Sequence, residues 1–138
     1  MRSVRPAVES KIKFRYLAEH DVVLAHVEWL LDSKKDVDDW LSTYDGYFTR
    51  NHAGRKVDVI FELSKFSVSP RMAAAFGEAR AKMMAAFTRR TYRVNLDDAT
   101  KVAMYTSRVL HGAAANEFST IDEALAQLKA DRTADTGT

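Results

Sequence analysis

Between positions 11 and 17 apolar and basic residues alternate, with Ile12, Phe14 and Tyr16 on one side and Lys11, Lys13 and Arg15 on the other. A period of two predicts a half-exposed strand, because successive side chains point to opposite faces. Val22-Val23-Leu24-Ala25-His26-Val27-Glu28-Trp29 predicts a second strand, and the polar turn around Glu19, His20 and Asp21 makes the pair an antiparallel hairpin. The period then lengthens. Val37, Trp40, Leu41, Tyr44, Tyr47 and Phe48 form one stripe at helical spacing. Ser33 stands three residues before Asp36, as a capping box requires, so a helix is expected from near Lys34 to just before Asn51.

Val57 to Leu63 is almost continuously apolar, the composition of a central strand covered on both faces. Ser69-Pro70 reads as an N-cap followed by proline at the first helical position. The helix it opens carries Met72, Ala75, Phe76, Ala79, Met83, Ala86 and Phe87 on one side. Residues 91–96 alternate again, and Asp97 caps an expected helix over 98–110, with Gly112 as its C-cap. A short strand follows at Glu117-Phe118-Ser119. Thr120 and Glu123 form a second capping box, ahead of a helix with Ile121, Ala124, Leu125 and Leu128 inward. Residues 1–10 read as a flexible lead and 131–138 as a disordered polar tail, leaving one domain over 11–130. The order β-β-α-β-α-β-α-β-α predicts a small layered α/β domain, its sheet mostly parallel with an antiparallel edge strand.

Composition narrows the partners. A chain of 138 residues suits a single domain and buries enough surface to fold without metal or disulfide. The 21 basic and 19 acidic residues leave a net charge of +2, too even a balance for a duplex-nucleic-acid surface. Cysteine is absent, which excludes disulfides, thiol nucleophiles and cysteine-ligated metals and fits a reducing, cytoplasmic setting. No apolar run approaches the ~18 residues of a membrane span, and Met1 to Pro6 leads into no hydrophobic signal core.

The two-strand opening, the amphipathic helix and the strand ending in Phe61-Glu62-Leu63-Ser64-Lys65-Phe66 resemble the STAS domain, in particular its SpoIIAA-like branch, whose fold is related to the lipid-binding CRAL-TRIO (Sec14) domains. The stretch from Glu117 to Leu125 is similar to the "phenylalanine, short spacer, EAL" ending of that branch. The resemblance implies a non-enzymatic regulatory module that docks to a protein partner and self-associates, as a homodimer. It places the contact surface on the loop 64–71 and the start of the following helix, with Lys65, Ser69 and Arg71 at the rim. Anti-sigma-factor antagonists carry a phosphorylatable serine here, in an Asp-Ser-Ser-Gly motif at a helix N-terminus, where the free N–H groups favour a phosphate. This chain has Val68-Ser69-Pro70-Arg71-Met72 instead. Ser69 is the nearest hydroxyl and the candidate phosphorylation site, and a helix cap is its simpler role.

No motif signals catalysis or a bound cofactor. His20, His26, His52 and His111 form no H-x-x-x-H or H-E-x-x-H array, and there is no nucleophile elbow, P-loop or G-x-G-x-x-G. Asp32, Asp36, Asp38 and Asp39 crowd a helix start, where the dipole accounts for them. Arg80, Lys82, Arg89, Arg90 and Arg93 make the densest basic stretch, read either as a solvated helix end or as a patch for acidic partners or lipid headgroups. Large soft side chains suggest an alternative function. Trp40, Tyr44, Met72, Phe76, Met83 and Phe87 would line a cleft between helices and sheet that binds or senses a small apolar, lipid-like ligand. Plain core packing competes with that reading.

Overall fold

A computed structural model describes residues 11–95 and 117–136. Strands β1 (Ile12–Leu17) and β2 (Val22–Leu31) are followed by helix α1 (Lys34–Asn51) and strand β3 (Val57–Val68). A 3-10 turn (Pro70–Met72) then leads to α2 (Ala73–Phe87), β4 (Thr88–Val94), β5 (Glu117–Phe118) and α3 (Ile121–Thr136). The five strands form one sheet in the order β1-β2-β3-β4-β5. β1 pairs antiparallel with β2, and every other pairing is parallel. This is the expected small layered α/β domain. The helix expected over 98–110, with its caps at Asp97 and Gly112, lies outside the described residues.

The topology explains the layering. Strand order advances one way across the sheet and parallel crossovers are right-handed, so α1 and α2 must lie on the same face. They do. Val23, Ala25, Val27, Trp29 and Leu31 on alternate positions of β2 join Val37, Trp40, Tyr44 and Phe48 of α1 and Phe76 and Met83 of α2 in one buried cluster. The opposite face buries Val22, Ile60, Tyr92 and Val94 against Ala124 and Leu128 of α3. β3 is therefore covered on both sides, as its unbroken apolar run requires.

Three boundaries differ from the sequence reading, each for a physical reason. β3 does not stop at Leu63 but runs to Val68. In its pairing with β2, His26 stands opposite Glu62 and Glu28 opposite Lys65, so β3 carries one extra residue. That bulge resets the alternation and returns Phe66 and Val68 to the core occupied by Phe61 and Leu63. The expected loop 64–71 is thereby reduced, and Lys65 belongs to a strand. Second, β4 begins at Thr88, immediately after α2; the Thr88 hydroxyl donates to the Met84 carbonyl at 2.9 Å and closes the helix end. Third, residues 131–136 are not a disordered tail but the last turns of α3. Side chains of Asp131 and Arg132 anchor them, through contacts with Tyr92 and Asp58.

Both helix caps form as read, but only the Thr120 box is reciprocal; at the first, the Asp36 carboxylate accepts from the Asp32 N–H at 3.0 Å instead of from Ser33. Ser33 Oγ accepts from the Asp36 N–H at 3.1 Å. Thr120 Oγ1 accepts from the Glu123 N–H at 3.1 Å while Glu123 Oε1 accepts from the Thr120 N–H at 3.3 Å.

Candidate functional site

The residues named for partner binding meet where β2 and β3 leave the sheet. Ser69 N–H donates to the Leu31 carbonyl at 3.0 Å, so the two strand exits are tied through their backbones. The Ser69 hydroxyl donates to Asp32 Oδ1 at 2.5 Å. Arg71 Nη2 donates to the Asp32 carbonyl at 2.6 Å and lies 3.1 Å from its Oδ2. The Asp32 carboxyl is held below its ordinary range, first by the Ser69 hydroxyl and then by the Arg71 charge. Ser69 does precede a helical turn, yet its side chain makes no cap; the hydroxyl is spent on Asp32. Asp32 was legible only as one acid among several at a helix start, because its partners stand 37 and 39 residues away.

Lys65 is exposed and stands beside Glu28 in the register, two positions before Ser67, which pairs with Leu30. Leu30 is 56% exposed, the most open large apolar side chain among the described residues. The sequence reading ended β2 at Trp29 and so passed over it. The signal was present: positions 22, 24, 26, 28 and 30 form the second face of the same alternation. Below it, His26 Nε2 lies 3.2 Å from Glu28 Oε2 and 3.7 Å from Glu62 Oε1. The Glu62 carboxylate also accepts from the Ser64 hydroxyl at 3.0 Å and from Asn95 Nδ2 at 2.7 Å. These bonds fix the bulge and hold Asn95, in the left-handed region at φ 63°, at the end of β4.

The residues named for an apolar ligand divide. Trp40, Tyr44, Phe76 and Met83 line one small cavity together with Arg80 and Arg93, and its volume is about 20 Å³. Met72 and Phe87 pack against the same core without lining that space. The rings fill the interior edge to face: Trp40 lies 4.9 Å from Tyr44 and 5.1 Å from Phe76, centroid to centroid. That space has the size of a water molecule, not of an acyl chain, while Phe87 lines a separate, open cleft of about 300 Å³ with Phe48 and His52.

The basic stretch divides: Lys82 and Arg89 are exposed, while the other three arginines are partly or wholly buried. Arg80 and Arg93 are buried on the α1/α2 side. Arg89 and Arg90 turn instead to Asp58, whose side chain is fully buried. Asp58 accepts from Arg89 Nε at 3.2 Å, from the Arg90 N–H at 3.1 Å and from Arg132 Nη2 at 2.7 Å. Burial by itself would raise the Asp58 carboxyl, but the Arg89 and Arg132 hydrogen bonds outweigh it and hold the group below its ordinary value. Arg132 also donates to the Asp21 carbonyl at 2.7 Å, joining α3 to the β1–β2 turn. Sequence reasoning missed this centre, because Asp58 and Arg132 are 74 residues apart.

His52 has its pKa lowered, by burial first and the Arg55 charge second. His111 lies outside the described residues. Among the described residues no three His, Asp or Glu side chains are grouped to hold a metal ion, and no helix is long and apolar enough to cross a membrane.

This architecture is shared with solved structures. The chain superposes on the anti-sigma factor antagonist SpoIIAA in its unphosphorylated form with a TM-score of 0.57 at 12% identity, over 86% of this chain and 96% of that one. It likewise matches SLC26A9, with a TM-score of 0.56 at 10% identity, covering 86% of this chain and 21% of that much longer one. At such identities the likeness is one of fold. No protein-family model matches the sequence, and no curated protein matches it significantly.

Proposed function

We propose that this chain is a regulatory module of the STAS type, without enzymatic activity, that docks to a protein partner through the exits of β2 and β3 and the start of α2. The observation that carries this reading is the bolted pair of exits. Ser69 and Arg71 both fasten onto Asp32, so the turn at 69–72 is held rigid beside exposed Leu30 and Lys65. A preformed polar rim around an apolar residue suits recognition, because little ordering entropy is lost on binding. The fold shared with an anti-sigma factor antagonist supports a regulatory role. In this reading Ser69 is a structural tie. A phosphate there would break the bond to Asp32 and set two anions against each other, with Arg71 the one cation at hand among the described side chains of the turn. Self-association by edge pairing is disfavoured, because β1 presents Lys13 and Arg15 along its open edge. Partner docking is preferred to an apolar carrier because the space that Trp40, Tyr44, Phe76 and Met83 line together is water-sized.

The test is affinity capture with Leu30→Asp and Lys65→Glu variants beside a Lys129→Glu control on α3. A partner lost with the first two and retained with the control supports the surface. A partner that binds all three equally sinks it.

A further inference from the structure

The last helix is held to the sheet differently from the other two. α1 drives Val37, Trp40, Tyr44 and Phe48 into the core, and α2 does so with Phe76 and Met83, so large buried side chains fix both. Among the described residues of α3 only Ala124 and Leu128 are buried, with Ile121 and Leu125 half-covered beside them. Seating such a helix removes little apolar area from water. The rest of its hold is polar and gathers at one end. Arg132 donates to Asp58 from Nε at 3.1 Å and from Nη2 at 2.7 Å, and Nη2 also reaches the Asp21 carbonyl. Beside it, Asp131 accepts from the Tyr92 hydroxyl and Asp135 meets Arg90.

Breaking a buried ion pair normally strands a charge in the interior, and that penalty is what keeps such pairs shut. Here the penalty is small. When Arg132 leaves, Asp58 keeps Arg89 Nε at 3.2 Å, Arg89 Nη2 at 3.1 Å and the Arg90 N–H at 3.1 Å. Three arginines crowd one carboxylate, so the departure of one relieves repulsion among them. The Arg132 side chain is already 29% exposed and passes readily into water. We propose that α3 is a latched lid, which detaches as one unit while the rest of the domain stays folded, with the Asp58–Arg132 pair as its latch. Beneath it lie Val22, Ile60, Tyr92 and Val94, all wholly buried while the lid is seated. The sheet face they form is a conditional surface, closed by the latch, opened by its release, and separate from the docking surface at the strand exits.

Native-state hydrogen exchange of the full chain in rising urea tests this, followed at amides 125–130 of α3 and at those of β2 and β3. The expected result is α3 protection at least about tenfold below that of the strands. Its dependence on urea should be shallower, since detachment exposes less surface than unfolding. Val37→Ala weakens the α1 side of the core equally with the lid on or off. It should therefore lower strand protection and leave α3 protection unchanged. Arg132→Met should lower α3 protection by about tenfold, the loss of hydrogen bonds to a charged group. The wild-type and Val37→Ala readouts stand even where the Arg132 variant fails to fold. α3 amides that share the protection and urea slope of β2 and β3, or that lose protection with Val37→Ala, would overturn the lid. α3 protection untouched by Arg132→Met would overturn the latch.

Discussion

Arg132 Nη2 lies 2.7 Å from Asp58 Oδ2, and that contact joins the last helix of the described chain to the start of its central strand. Asp58 is the single buried anion that Arg89, Arg90 and Arg132 share. Replacing it leaves three cations facing one another at a half-covered site. Asp58→Ala is expected to cost about 3 kcal/mol, a fall in Tm of roughly 10 °C. Thermal unfolding monitored by circular dichroism checks this; a change of a degree or two would mean that solvent already screens the cluster.

The same carboxylate sets an acid limit. Its folded pKa is below the ordinary value of 3.8, so its stabilisation is present above about pH 4 and is lost as pH falls through the folded pKa. Asp21 acts in the same direction, with its pKa lowered to about 2 by the Arg55 hydrogen bond, although its exposure keeps its share small. Denaturant midpoints measured between pH 2 and pH 6 should fall on the acid side, and Asp58→Asn should flatten that fall. A wild-type curve that is level across this range would contradict the assignment.

Removing residues 131–138 should be destabilising. The deletion takes away the Arg132 clamp and the 2.5 Å bond from the Tyr92 hydroxyl to Asp131. Faster amide exchange is expected in α3 and also in the β1–β2 turn, whose His20 and Asp21 carbonyls Arg132 holds. An idle tail would leave both segments unchanged.

What the sequence disclosed follows from the range of its signals. Alternation and helical stripes are local, and they placed β1, β2, α1 and the covered middle of β3. Capping boxes are four-residue signals, and both Ser33 and Thr120 cap as expected. The bulge in β3 is invisible locally because Ser64 and Lys65 interrupt the apolar run, and only pairing with β2 restores Phe66 and Val68 to the core. Residues 131–136 read as a tail for the same reason: Asp131 and Arg132 look solvent-bound until Tyr92 and Asp58 are brought beside them. At the candidate site, Ser69 and Arg71 were legible from their position after the strand, whereas Asp32, to which both bind, was not.

Core truncation separates packing from ligand space. Trp40 is 3% exposed and touches rings of both α1 and α2. Trp40→Ala is expected to cost about 4 kcal/mol, a large share of the total stability of a domain this size. Urea unfolding measures it. A variant as stable as the wild type would show that the interior collapses around the gap.

Loosening the tie at the strand exits should be a local event. Ser69→Ala removes the hydroxyl that Asp32 accepts, and amide exchange is expected to quicken across 69–72 while the Tm barely moves. Global unfolding in its place would make this turn part of the core.

The docking surface itself is tested most directly by a photo-crosslinking amino acid placed singly at position 65 or, as a control, at position 129, in cells that make the chain at its natural level. Docking through the β2 and β3 exits predicts one discrete heavier adduct from position 65 and none from position 129. An adduct only from position 129, or none from position 65, would contradict it.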